Sequence, residues 1–186
     1  MENNNMITTS QVLELGFSKT LLTKYVEKGL LERIRHGAYI LSDSVHDVMY
    51  TLSLRSKRII FSHDSALFLN GLSERTPFVH SITIPSDATI PASIKGESIR
   101  YYVKPELHQI GLIEKNTTFG NRVKCYDAER TICDIFRSRN RLDEETVVSA
   151  IKNYSSYEDK DLNRLGIYAE QFKVGEKLKT YLEVLL

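Results

Sequence analysis

Cysteine is scarce in this chain of 186 residues, which has only Cys125 and Cys133. Two cysteines at this spacing form neither the paired pattern of a zinc site nor the framework of a disulfide-rich domain. We therefore expect both thiols to be reduced and the protein to be cytoplasmic.

Long apolar runs and familiar catalytic motifs are also missing. No stretch approaches the roughly 18 apolar residues of a membrane-spanning helix, and the start of the chain, "MENNNMITTS", lacks the pattern of a signal peptide. The sequence has no phosphate-binding glycine loop, GxSxG elbow or HExxH helix. We therefore expect no membrane association, no cofactor, no metal and no enzymatic activity.

An excess of either charge is absent as well, since 25 basic and 24 acidic residues give a formal net charge of +1. A surface that binds nucleic acid would therefore have to be local. The length allows one large or two small domains, and a hydrophobic fraction of 41% is enough for a real core.

Two short helices joined by a tight turn are predicted near the start. The first, "SQVLELG", has N-cap candidates in Thr8, Thr9 and Ser10 and ends at Gly16. Ser18 is expected to cap the second, "KTLLTKYVEK", whose apolar residues form one stripe. This order is the helix-turn-helix arrangement.

A β-hairpin is predicted directly after the second helix, in "GLLERIRHGAYIL" at residues 29–41. Gly37 lies in its two-residue turn, because glycine adopts positive φ without strain. Strict alternation along the first strand places Arg33 and Arg35 on one face, and it makes Ile34 and Tyr39 the expected inward-packing residues. A hairpin in this position turns the helix pair into a winged helix.

The predicted winged helix concentrates positive charge: from Ser18 to Leu41, five basic residues against two acidic ones leave +3. Its second helix would enter the major groove, and the wing would contact the backbone or the minor groove. Two alternatives are a solvated basic face and a winged helix that binds a protein. The expected DNA-binding residues are Ser18, Lys19, Thr20, Thr23, Lys24, Lys28, Arg33, Arg35 and His36.

A second basic cluster, "LRSKR", contains Arg55, Lys57 and Arg58. These residues follow a predicted helix. They either extend the DNA-binding surface or complement the C-terminal dipole of that helix, and the sequence leaves both alternatives open.

A polar break at residues 42–44 gives the predicted domain boundary, with the winged helix over residues 1–43 and a second domain over residues 44–186. Helices are predicted at "VHDVMYTLSLRSK" and "SHDSALFLNGL". Strands follow at "FVHSITIPSD" and "ESIRYYVKPE", with Pro85 and Pro91 in the loop between them, and a hairpin at "GLIEKNTTFGNRVKCYD". Four helices complete the chain, so the predicted fold class is α+β.

Three acidic residues, Asp127, Glu129 and Asp134, lie close together in "YDAERTICDIF". One alternative is that they serve a metal-dependent nuclease or phosphotransferase. However, no lysine stands where such a nuclease would need it, and no second acidic motif lies on a strand upstream. The favoured interpretation is a helix cap together with a buried Arg–Asp pair.

Histidines are scattered through the sequence. Neighbouring residues of a helix point in different directions, so His63-Asp64-Ser65 is not expected to form a catalytic triad. The five histidines are His36, His46, His63, His80 and His108.

Three segments together resemble one known family. "GFSKTLLTKYVEKGLLERIRHGAYIL" is similar to the winged helix of the AbiEi-type abortive-infection antitoxins. "FSHDSALFLNGLS" and "YDAERTICDIF" resemble two segments of the C-terminal domain of that family. The three segments follow one another in the order and spacing of the family and are spread over most of the chain.

The resemblance implies an antitoxin of a bacterial type IV toxin–antitoxin system that defends against phages. The toxin would be a nucleotidyltransferase, opposed without a stable complex between the two proteins. The winged helix would bind inverted repeats in its own promoter and repress the operon, through basic residues that correspond to Lys19, Lys24, Arg33 and Arg35. His36 departs from the basic residue expected beside Arg35, which lowers the charge of the wing.

Overall fold

The computed structural model describes residues 6–44, 47–89 and 94–185. The chain divides into two compact units. The first consists of the described residues up to Lys57 together with Thr117–Asn121, and the second of Arg58–Asn116 and the residues from Arg122 onward. The functional boundary after Asp43 stays a prediction. The packing adds that the helix following this boundary lies in the first unit.

The first unit has the elements of a winged helix. They are β1 (Met6–Thr8), α1 (Thr9–Glu14), α2 (Lys19–Glu27), β2 (Leu31–Arg35) and β3 (Ala38–Leu41), followed by α3 (Val48–Arg55). Thr8 caps α1, as the sequence predicts, because its Oγ1 accepts a hydrogen bond from the backbone of Gln11. Gly16 and Gly29 end the two helices with φ of +82° and +68°.

A three-stranded antiparallel sheet closes this unit, in the order β1-β3-β2. Leu31 and Tyr39 pack with Val12 and Leu22 against the two helices. The prediction that Ile34 shares the inward face with Tyr39 is wrong, because Tyr39 pairs with Arg33 across the strands and residues paired in this way point to the same face.

The second unit is built on a mixed five-stranded sheet in the order β6-β5-β4-β8-β7. Strands β5 and β6 run parallel, as do β4 and β8, and the other neighbouring pairs are antiparallel. The strands are β4 (Ile60–Phe61), β5 (His80–Pro85), β6 (Ser98–Val103), β7 (Leu112–Asn116) and β8 (Arg122–Tyr126). The predicted α+β class is confirmed.

Helices supply the other half of the second unit. They are α4 (His63–Leu69), α5 (Ile94–Glu97), α6 (Ala128–Arg137), α7 (Glu144–Ser155), α8 (Leu162–Gln171) and α9 (Gly175–Leu185). Helix α6 is buried from Ala128 to Phe136. It forms one apolar core with α7, α8 and α9.

Several sequence predictions fall at the edges of the described ranges. Pro85 is the last residue of β5, whereas Pro91, His46 and the first two residues of the helix predicted from Val45 lie outside the described residues. Both cysteines are free and buried. No helix within the described ranges is long and apolar enough to cross a membrane.

Candidate nucleic-acid interface

One side of α2 is polar and exposed, and the other packs into the core. Successive residues of a helix turn by about 100°, which places Leu22, 2% exposed, on the side opposite Thr20 and Lys24. Glu27 lies among these polar residues and reduces their net charge. The exposed polar residues are those that the sequence predicted: Ser18, Lys19, Thr20, Thr23, Lys24 and Lys28.

The start of α2 is poorly arranged for the stability of the helix. Ser18 is the N-cap residue, but its side chain makes no capping hydrogen bond, and the first turn contains no acidic residue. Lys19 instead adds a positive charge beside the positive end of the helix dipole, which is unfavourable in isolation. An anion at this end would be stabilised by the free backbone N–H groups, the dipole and the lysine together.

The lysines of this face lack acidic partners. Within the part of the chain that the structure describes, Lys19, Lys24 and Lys28 have no carboxylate oxygen within 4.0 Å. Their charges are thus compensated by solvent and are available to an anionic partner.

The predicted wing is the hairpin of β2 and β3. Its turn is hydrogen bonded to the first residue of α1. Gly37 adopts φ of +77°, which confirms the predicted two-residue turn. Its carbonyl oxygen accepts a hydrogen bond of 2.9 Å from the backbone N–H of Thr9. The tip of the hairpin is therefore anchored to the helical part of the same unit.

Arg33 and His36 form a pair at the tip of the wing. Nη2 of Arg33 donates to Nδ1 of His36 at 2.8 Å, and both residues are exposed. The acceptor nitrogen has no proton, so the proton of the neutral ring is on Nε2. His36, which the sequence marked as a weak DNA-binding residue, therefore positions a stronger one.

The pairing register contains a bulge between Arg33 and Arg35. Arg33 pairs with Tyr39 and Arg35 pairs with Ala38, so the first strand advances two residues where the second advances one. The prediction that both arginines share a face assumed unbroken alternation, and the bulge interrupts it. The side chain of Arg35 lies outside the described part of the structure.

The "LRSKR" cluster is divided between the two units. Arg55 is in the last turn of α3, where a positive charge complements the helix dipole. Arg58 belongs to the second unit and forms an ion pair of 3.4 Å with Asp87. The charge of Arg58 is thus partly compensated within its own unit.

The acidic cluster of α6 is used by the fold. Asp127 caps the helix, accepting a hydrogen bond of 2.8 Å from the backbone N–H of Arg130. Asp134 accepts from Nε of Arg130 at 3.1 Å, and both side chains are buried. Burial raises the pKa of both carboxyl groups. A helix cap and a buried Arg–Asp pair are what the favoured interpretation predicted.

Glu129 is equally engaged. Its Oε1 accepts hydrogen bonds from the hydroxyl of Tyr154 at 3.0 Å and from the backbone N–H of Asp161 at 2.9 Å. Among the described residues, no three His, Cys, Asp or Glu side chains are grouped to hold a metal ion. The residues of the nuclease alternative therefore hold helices together in this structure.

The sequence missed the partners of His63. Its ring contacts the hydroxyl of the preceding Ser62 at 3.0 Å and that of Ser138, 75 positions along the chain, at 2.9 Å. Ser65 instead interacts with His80. As predicted, His63-Asp64-Ser65 is not a triad, and no local pattern indicates the contact with Ser138.

The N-terminal part of the chain is similar to a known protein family. The family model described as "Transcriptional regulator, AbiEi antitoxin" matches residues 2–42, which include α1, α2 and the wing. The resemblance to AbiEi antitoxins is thus confirmed over this segment. Over these residues the chain is similar to an antitoxin-type transcriptional regulator.

The fold of most of the chain is also similar to that of a solved structure. The crystal structure of the RV2827C protein from Mycobacterium tuberculosis is similar with a TM-score of 0.67 at 12% sequence identity, and the match covers 91% of this chain and 67% of that one. At this identity the similarity concerns the fold. No curated protein matches the sequence significantly.

Proposed function

We propose that this protein is a cytoplasmic DNA-binding antitoxin that represses its own operon, in a type IV system directed against phages. The observation that carries the proposal is the match of residues 2–42 to the AbiEi regulator family, together with the exposed basic face on that segment. The winged helix, residues 1–43, would bind inverted repeats in the promoter. Residues 44–186 would oppose a nucleotidyltransferase toxin without a stable complex.

The start of α2 is the part best suited to DNA. Ser18, Lys19 and Thr20 stand at its exposed N-terminal end, and Thr23 and Lys24 follow one turn later on the polar side. A helix that enters the major groove presents this end to base edges. The free N–H groups and Lys19 would receive a phosphate, while Thr20, Thr23 and Lys24 would reach bases or neighbouring phosphates.

The wing would add contacts with the DNA backbone. Arg33 is exposed and held by His36 at 2.8 Å, so its guanidinium loses less conformational freedom on binding than a free side chain would.

The second domain is proposed to act without catalysis of its own. The acids that could have formed a metal site are buried and hydrogen bonded to Arg130, Tyr154 and backbone N–H groups. These hydrogen bonds support a role of the acidic residues in stabilising the fold. An antitoxic effect that needs no stable complex would come from this domain by another route than hydrolysis at these carboxylates.

Fluorescence anisotropy with the duplex upstream of the gene tests the DNA-binding part of the proposal. We expect dissociation constants below about 1 µM at physiological salt, tighter than ordinary non-specific binding. A scrambled duplex should bind more weakly. Lys24→Ala and Arg33→Ala should weaken binding several-fold, whereas Lys152→Ala, which removes an exposed lysine of the second unit, should have no effect.

Two results would contradict this part of the proposal. One is equal affinity for the upstream and scrambled duplexes together with unchanged binding in both basic-face variants. The other is the absence of any DNA binding by a folded protein, which would favour a winged helix that binds a protein.

A further inference from the structure

The second unit contains a polar cavity of about 300 Å³ that the proposed function does not use. Residues at and after the end of α6 line it, as does Tyr101 in β6. We call it the arginine pocket and define it by Arg137, Ser138, Asn140, Arg141 and Tyr101. All five residues belong to the same compact unit.

Both arginines of the pocket are held in place by main-chain oxygen atoms. Nη2 of Arg137 donates to the carbonyl oxygen of Tyr102 at 2.7 Å, and both Nη atoms of Arg141 donate to that of Arg100 at 3.3 Å. The Arg141 guanidinium also lies 4.3 Å above the centre of the Tyr101 ring. Each guanidinium has five N–H groups, so donors remain after these contacts.

A chain of buried hydroxyl groups orients the third donor, Ser138. Thr83 donates to Oγ of Ser62 at 2.8 Å, and Ser62 Oγ lies 3.0 Å from Nδ1 of His63. Nε2 of His63 in turn lies 2.9 Å from Oγ of Ser138. These contacts fix the position of the Ser138 hydroxyl, which lines the pocket.

His63 is fixed in this position and in its neutral form. Its ring stacks on Tyr101 with 3.4 Å between centroids, and it is 1% exposed. Burial lowers its pKa well below the usual value, and the positive charges of Arg137, Arg130 and Arg141 lower it further. The same field that disfavours a proton on His63 favours an anion beside it.

A carboxylate also lines the pocket, that of Asp134. It accepts from the buried Arg130 at 3.1 Å and lies 3.8 Å from Nη1 of Arg137. Burial raises the pKa of Asp134, against the effect of the two arginines. Two arginines therefore offset the charge of this single carboxylate, and Arg141 adds a further positive charge to the lining of the pocket.

We propose that the arginine pocket binds the phosphate group of a small molecule. Guanidinium groups match phosphate oxygen atoms in paired geometry, and a hydroxyl donor between them completes a set of charge-assisted and neutral hydrogen bonds. A volume of about 300 Å³ stands at the lower end of the range for small-molecule sites, roughly 300–1,000 Å³. This size suits free phosphate or a compact phosphate ester.

The competing explanation is that the arginines only cover the edge of the sheet. Strand β6 is an edge strand, and its outward carbonyl groups need donors. This explanation predicts a loss of stability when an arginine is removed, but no response to phosphate. The two explanations therefore differ in what added phosphate does to the intact protein.

Calorimetric titration of the full chain with inorganic phosphate, at ionic strength held constant with chloride, is the test. We expect saturable binding and a thermal midpoint that rises with phosphate concentration by mass action. Arg141→Gln should weaken the binding about tenfold or more, as for the loss of a charge-assisted hydrogen bond. Ser138→Ala, which leaves the arginines and their carbonyl partners intact, should weaken it by about three- to tenfold.

The matched control is Arg122→Gln, which removes an exposed arginine of the same unit whose partner is Glu114. Its phosphate affinity should equal that of the unchanged protein. Parallel titrations with pyrophosphate and ADP distinguish free phosphate from larger esters as the better occupant.

The proposal is overturned if phosphate gives no saturable heat and no midpoint shift up to about 10 mM. It is also overturned if both pocket variants bind phosphate as well as Arg122→Gln does. Should Arg141→Gln fail to fold, Ser138→Ala decides by itself. Neither result affects the proposed DNA binding, which concerns residues of the other unit.

Discussion

Helices α2 and α6 both carry several charges, yet they use them in opposite ways. In α6, Arg130, Glu129 and Asp134 are at most 2% exposed and have partners within the same unit. In α2, Lys19 and Lys24 are exposed and have no acidic partner among the described residues. The comparison shows that the burial and the partners of a charged residue, and not its presence in the sequence, distinguish a charge of the core from one of a candidate binding surface.

Desolvation explains why the two helices differ in this way. A buried charge is tolerated only when an opposite charge and hydrogen bonds replace water. Arg130 meets this condition with Asp134 and with the carbonyl oxygen atoms of Leu107 and Ile110, each at 2.9 Å. Its guanidinium also lies between the rings of Tyr126 and Phe172. The charges of Glu129, Arg130 and Asp134 are therefore part of the core, whereas those of α2 are free for a ligand.

The largest expected effect comes from breaking the buried pair of α6. Arg130→Met removes the positive partner and leaves Asp134 buried, which should lower the free energy of unfolding by about 3–5 kcal/mol. Urea unfolding followed by circular dichroism measures the loss. The exposed pair of Arg122 and Glu114 is the control, because Arg122→Gln should cost less than about 1 kcal/mol. Equal losses in the two variants would show that the pair in α6 is not structural.

A glycine beside the same arginine gives the next largest effect. Gly111 has φ of +74°, and a Cβ atom on it would lie 2.6 Å from Cβ of Arg130. Gly111→Ala should therefore cost about 2 kcal/mol or more, from the left-handed backbone and the clash together. Gly120→Ala is the matched control, since Gly120 has φ of +81° and a Cβ atom on it would have no neighbour within 4 Å. It should lower the free energy of unfolding by only about 1–2 kcal/mol. Unfolding free energies that reverse this order would contradict the packing described here.

The pH dependence of stability should show the neutral state of His63. Because its pKa is lowered in the folded protein, the unfolded chain takes up a proton below about pH 6.5 that the folded chain does not. Stability is therefore lost as the pH falls through that value, by about 1 kcal/mol between pH 7 and 5.5. His63→Gln should remove this part of the slope.

A pH slope that is identical in the unchanged protein and in His63→Gln would mean that the folded protein accepts a proton on His63.

The smallest effect on stability is expected on the polar side of α2. Lys24→Ala removes an exposed side chain without a partner and introduces the best helix former, so the free energy of unfolding should change by less than about 0.5 kcal/mol. The same substitution should weaken DNA binding. A marked loss of stability would mean that the lysine is structural, as Arg130 is in α6.

Local sequence patterns were sufficient for most helices and strands. The caps at Thr8 and Asp127, the glycines that end α1 and α2, and the wing turn are all properties of short segments. Strand β1 was missed because its three residues acquire their structure only by pairing with β3. The bulge after Arg33 likewise depends on the partner strand.

The two candidate sites also differ in whether a local sequence pattern predicts them. The basic face of α2 follows from the period of one helix, so the sequence places its residues correctly on the surface. The arginine pocket joins Ser62, Tyr101 and Ser138 through His63. It requires the relative positions of α4, β6 and the end of α6, and no spacing in the sequence gives these.

The dependence of DNA affinity on salt tests the central claim most directly, namely that the uncompensated charges of the winged helix bind phosphates. If Lys19, Lys24, Arg33 and Arg35 each neutralise about one phosphate, a plot of log affinity against log salt should have a slope near −4 per bound protein. Lys24→Ala should reduce the magnitude of this slope by about 1. A slope near zero, or one that Lys24→Ala and Arg33→Ala leave unchanged, would contradict the account.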